Sequence, residues 1–148
     1  MSYFFEDLVE GQRLTTRSRT VTETDLATFS MLSGDWNPIH SDEQYARTTP
    51  YGRRVVHGVF GIALVTGLMD GAGWFADSGA VMLELRSWTF ERPIFVGDTL
   101  HCEMEIGALR ATSSGRAGVV QRTFRLIDHE GNLVQQGECP GLVQRRDV

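Results

Sequence analysis

His57-Gly58-Val59-Phe60-Gly61-Ile62-Ala63-Leu64-Val65-Thr66-Gly67-Leu68-Met69-Asp70 is the stretch on which the fold turns. Between Gly58 and Asp70 the only polar side chain is Thr66, so a helix over these residues has almost no polar face. A helix that is apolar all round has to be buried or enclosed. The wider apolar run, Val55 to Met69, is too short and too glycine-rich for a membrane span. The segment therefore predicts a central helix that other elements wrap.

Upstream, Thr22-Glu-Thr-Asp25 has the pattern of a helix start, with Thr22 as N-cap and acidic residues in the first turn. Leu26, Phe29 and Leu32 follow at helical spacing, and Gly34 is placed to end the helix. Downstream the period changes to two. Leu100, Cys102, Met104 and Ile106 alternate with His101, Glu103 and Glu105. Val81 to Phe90, Gly118 to Ile127 and Leu133 to Val143 are further strand candidates. Gly97-Asp98, Ser113-Ser-Gly115 and Asp128-His-Glu-Gly-Asn132 supply turns. One long apolar helix followed by antiparallel strands predicts an α+β fold of one domain over 1–148, a single hot-dog fold whose sheet wraps the helix. Such a sheet keeps an open edge, which favours a homodimer.

Composition bounds the function. Hydrophobic residues make up 41% and charged residues 22% of 148, enough for one packed core. A net charge of −5 argues against nucleic acid as a partner. Cys102 and Cys139 lie at neither metal nor redox spacing, and no disulfide is expected. The N-terminus turns acidic too early for a signal peptide, so a cytoplasmic protein with no membrane partner is expected. His101 and His129 have no partners at ligand spacing, and no metal or cofactor is predicted.

Chemistry concentrates in Phe29-Ser-Met-Leu-Ser33-Gly34-Asp35-Trp36-Asn37-Pro38-Ile39-His40, followed by Ala46. A carboxylate, an amide and an imidazole fall within six residues, on what Gly34 and Pro38 make a tight loop. Trp36 and Ile39 are large enough to anchor that loop. Asp35 and His40 held together can share a water, one removing a proton while the other delivers one. The same spacing also suits a plain Asx turn. Gly58 at the start of the apolar helix offers an unpaired N–H to a thioester oxygen, or simply allows close packing. Thr66 either serves the site or bonds back to a carbonyl one turn earlier. His57 is read as structural. Arg53 and Arg54, just before the helix, are either surface charge or phosphate ligands.

Gly34-Asp-x-Asn-Pro-Ile-His40 with Ala46 resembles the hydratase motif of the MaoC-like, (R)-specific enoyl-CoA hydratase family. Val56-His57-Gly58 and Phe90-Glu-Arg-Pro93-Ile-Phe-Val-Gly97-Asp98-Thr-Leu100 resemble its next two landmarks, in the same order. The resemblance implies that Asp35 and His40 are the catalytic dyad, supported by Asn37, Gly58 and Thr66. It implies an acyl-CoA or acyl carrier protein thioester as substrate, with Trp36, Phe60, Arg53 and Arg54 as candidate binding residues. Trp36 and Phe60 would narrow the pocket toward a short acyl chain. Three other readings stand beside hydration. One is dehydration of a 3-hydroxyacyl thioester, the same site run backwards. Another is a non-catalytic acyl-thioester-binding partner subunit. A hot-dog thioesterase fits less well, because Val59 to Met69 carries no carboxylate.

Overall fold

The hydroxyl of Thr22 accepts the amide of Asp25, and the Asp25 carboxylate accepts the amide of Thr22. This reciprocal cap opens helix α1, Glu23–Ser33, in the computed structural model, which describes residues 1–146. Gly34 ends it in the left-handed conformation, φ 74°, which glycine adopts without a Cβ clash. Leu26 is buried and Phe29 half-buried, but Leu32 points to solvent.

The expected loop over residues 34–40 is only half a loop. Pro38 begins a one-turn helix, α2, Pro38–Ser41, and α3 follows over Glu43–Arg47. Proline suits a first helical position because its missing N–H would be unsatisfied there anyway. The Asn37 and Asp42 side chains cap the two helices by accepting the amides of Ile39 and Tyr45. Ala46, fully buried, packs α3 onto the body.

Helix α4 spans Gly58–Gly71. The strands are β1 Arg13–Thr15, β2 Arg19–Thr20, β3 Ala80–Met82, β4 Arg86–Phe90, β5 Thr99–Ala111, β6 Ala117–Asp128, β7 Leu133–Glu138 and β8 Gly141–Gln144. They form one antiparallel sheet in the order β1-β5-β6-β7-β4, with β2 on β5 and β8 between β6 and β3. Two expected strands are each divided. Val81–Phe90 splits because β3 pairs with β8 while β4 pairs with β7. Leu133–Val143 splits at Cys139-Pro140, where proline has no N–H for a ladder. β1 and β2 are too short and too charged to give a periodic signal.

The two-residue period places Leu100, Cys102, Met104 and Ile106 of β5 inward, each at most 1% exposed. From β6, Val120, Phe124 and Leu126 join them, with Arg122 as the one charged residue in the row. Phe60, Leu64, Val65 and Leu68 of α4 pack on this surface. The expectation that α4 is enclosed holds for that face alone. Val59 on the other face is 59% exposed, because the sheet of one chain curves round only one side of the helix.

What seats α4 is a buried amide. Gln135 of β7, 1% exposed, donates from Nε2 to the Gly58 carbonyl at 2.9 Å and accepts from Trp88 Nε1 at 3.1 Å. Gly61 lies over it, and a Cβ there would overlap the amide. Gly61→Ala should therefore lift the helix start, costing about 1–3 kcal/mol. Thermal melts followed by circular dichroism measure this, and an unchanged midpoint would contradict it.

Candidate active site

Seating α4 also seats the residue before it. His57, 4% exposed, stacks on His40 with ring centroids 3.8 Å apart and planes 24° apart. Phe29 of α1 closes the other side of His57 at 5.0 Å. His57 Nε2 lies 2.9 Å from the Asp35 backbone carbonyl. A carbonyl only accepts, so Nε2 carries the proton and Nδ1 is a bare acceptor. That Nδ1 is buried without a partner among the described residues.

The same argument fixes His40. Its Nδ1 lies 2.6 Å from the Val55 carbonyl and donates to it, which leaves Nε2 as the open atom. Nε2 lies 3.7 Å from Asp35 Oδ2, too far for a direct hydrogen bond. The carboxylate and imidazole stand side by side, both able to touch one small oxygen species. Asp35 Oδ1 accepts the Asn37 amide at 3.2 Å, which orients the other oxygen toward His40. Ser41 ties the loop shut by donating to the Trp36 carbonyl at 2.8 Å.

Asp35, His40 and His57 each offer a ligand atom within 4.8 Å of the others. Their arrangement suits proton transfer better than a metal. Near-parallel rings send their lone pairs side by side rather than to one point, and His57 Nε2 is already a donor. Asn37 meets the cluster through its backbone N–H, while its side chain caps α2, and Gly58 lies directly after His57. Gly58 is also a packing glycine, since a Cβ would lie 3.0 Å from the Phe90 ring.

Other residues lie elsewhere. Thr66 is two turns along α4, about 12 Å from Gly58 by helix rise. Its hydroxyl donates back to the Ala63 carbonyl at 2.7 Å. Phe60, expected to narrow a pocket, packs edge-on against Phe29 in the core and is 8% exposed. Trp36, expected as an anchor of the loop, is 52% exposed beside a half-exposed Asp35. Arg54 is not free for a phosphate. It forms a two-pronged pair with Glu23 at 2.6 and 2.9 Å and a third bond to Glu43 at 2.8 Å. These carboxylates, Glu23 first, raise its pKa above the ordinary arginine value. Arg53 is exposed, with its guanidinium 3.9 Å above the Phe95 ring. The placement of His57 depends on a contact across 22 residues with Asp35, and its one sequence signal was its position before the apolar helix.

Residues 5–126 match the family model described as "MaoC like domain". The chain is similar to an (R)-specific enoyl-CoA hydratase of Aeromonas caviae, 33% identical over 82% of this chain and 86% of that protein. A second (R)-specific enoyl-CoA hydratase, from Rhodospirillum rubrum, is 31% identical over 97% and 94%. Among solved structures, the R-hydratase PhaJ1 from Pseudomonas aeruginosa in its unliganded form superposes with a TM-score of 0.80. It is 27% identical, and the match covers 97% of this chain and 86% of that one.

Arg54 joins α1 and α3 to the segment leading into α4, so Arg54→Met should lower stability by about 1 kcal/mol. Melts at low and high salt test the origin of the loss. The gap from wild type should narrow at about 1 M salt through screening, and a gap unchanged by salt would point to packing instead.

Proposed function

We propose, on the premise that this chain belongs to the MaoC-like domain family, that it catalyses the reversible (R)-specific hydration of trans-2-enoyl-CoA to 3-hydroxyacyl-CoA. The observation that carries this is the Asp35 carboxylate beside the open Nε2 of His40, 3.7 Å apart, next to the first turn of α4. CoA is the carrier because both (R)-specific relatives are named for CoA thioesters.

Asp35 and His40 hold one water over the β-carbon of the enoyl thioester. Its hydroxyl forms the new C–O bond, its proton passes to the pair, and the pair returns a proton to the α-carbon. The sum is the addition of one water, and the reverse path is dehydration of the hydroxyacyl thioester. The two groups act as a coupled pair, so acid and base are assigned to them jointly. The Gly58 amide, free of an intrahelical acceptor at the helix start, supports negative charge on the thioester oxygen. Gln135 keeps that amide in place through the Gly58 carbonyl. Exposed Arg53 is the cation for the CoA phosphates.

The working unit is a homodimer. Val59, Phe90, Met82, Leu83 and Leu85 are apolar and 41–59% exposed, a patch that a second copy would cover. In a two-fold pair whose α4 helices cross antiparallel near Ile62, position 66 of one lies opposite position 58 of the other. Thr66, too distant to serve its own dyad, then supports the dyad of the partner.

Asp35→Asn should fold normally and lose about 100-fold or more of kcat on crotonyl-CoA. A variant as fast as wild type would sink the dyad. Val59→Glu should shift the protein toward monomer in light scattering and lower turnover with it. Full activity from a monomer would rule out a shared site. A folded, dimeric wild type inert on crotonyl-CoA would favour the non-catalytic partner reading.

A further inference from the structure

Arg122 occupies an inward slot of β6 between Val120 and Phe124 and is 2% exposed. A guanidinium has five N–H donors and stays charged in proteins. Buried arginines are ordinarily paired with an anion, because a desolvated charge is costly alone. Arg122 has no carboxylate among the described residues. Its Nε donates to the Cys139 carbonyl at 2.9 Å. Its terminal nitrogens meet only sulfur, Met69 Sδ and Cys139 Sγ, each at 3.7 Å. The Phe124 and Phe75 rings flank it at 5.3 and 5.9 Å. Burial lowers its pKa from the ordinary arginine value, a sign of how little solvation it has.

The surroundings are shaped to seat this group. Gly141 faces it, and a Cβ there would lie 2.5 Å from a terminal nitrogen. The guanidinium borders a cavity of about 180 Å³ whose other walls include Ile62, Thr66, Met82, Leu85 and Trp88. At about 30 Å³ per water-sized group, this space takes roughly six chain atoms. An apolar chamber with one desolvated cation in its wall is complementary to a short alkyl chain that ends in a carboxylate.

We propose that this cavity receives the far end of the acyl chain and that Arg122 pairs with a terminal carboxylate there, which makes the substrates ω-carboxylated enoyl thioesters. The inference rests on the hydratase reading above. Ile62 and Thr66 reach the cavity from the same helix whose first turn holds the thioester. In the antiparallel pair, that wall lies beside the dyad of the other copy. A methyl-ended chain fills the space but leaves the cation unpaired. A carboxylate uses the donors that now face sulfur.

Hexanoyl-CoA and adipoyl-CoA differ only at the chain end, and neither can be hydrated. Calorimetry on the wild type should show adipoyl-CoA binding at least about tenfold tighter, since a buried polar group discriminates strongly against a ligand that leaves it unpaired. Arg122→Met should abolish the difference, and Arg122→Lys should retain part of it. The wild-type comparison decides the matter even if neither variant folds. Equal or weaker binding of adipoyl-CoA overturns the inference, and crotonyl-CoA hydration in the same preparation would leave the hydratase reading standing. Tighter adipoyl-CoA binding without any crotonyl-CoA turnover upholds the carboxylate site and removes the reaction. Free adipate binding as tightly as adipoyl-CoA overturns the assignment to an acyl-chain end.

Discussion

The hydrogen bond from the buried Gln135 amide to the Gly58 carbonyl is the constraint on which the site depends. It joins the first turn of α4 to the middle of the sheet, and Gly61 makes room for the contact. With the helix start held, His57 lies flat against His40 with Nε2 on the Asp35 carbonyl. The Asp35–His40 pair, contributed by a loop and a one-turn helix, is thus tied through His57 and Gly58 to the sheet. Its members come from neighbouring residues, but their geometry comes from a contact across 77 positions.

Two arginines show how context divides residues of one type. Arg54 lies at the surface among carboxylates and binds three of their oxygens, so its charge is spent on joining α1, α3 and the entry to α4. Arg122 lies in the core with carbonyl and sulfur for company. A surface guanidinium costs little to leave half-solvated, whereas a buried one has to be matched by something. The first is structural in the ordinary sense. The second borders the cavity that α4 and the sheet leave between them.

Much of this was legible in the chain. The Thr22 cap and the Gly34 stop obey local hydrogen-bonding and φ requirements, and both ends of α1 lie where those predict. The alternation of Leu100 to Ile106 survives because the facing direction of a strand residue depends on parity alone. The split of Leu133–Val143 into β7 and β8 follows from Pro140, which has no N–H for a ladder. The one-turn helix at Pro38 was hidden because a proline after asparagine reads equally as a turn or as a first helical position.

Spacing, caps and period over a few residues sufficed for α1, α4, β5 and β6 and for the adjacency of Asp35, Asn37 and His40. Only the tertiary structure decided what those residues meet. It put His57 on His40, sent Phe60 to the core and Arg54 to its carboxylates, and left one face of α4 uncovered. The physical reason is distance along the chain. Side-chain partners 20 or more positions apart are selected by packing of whole layers, and no local pattern records which of several apolar or charged residues will reach a given neighbour.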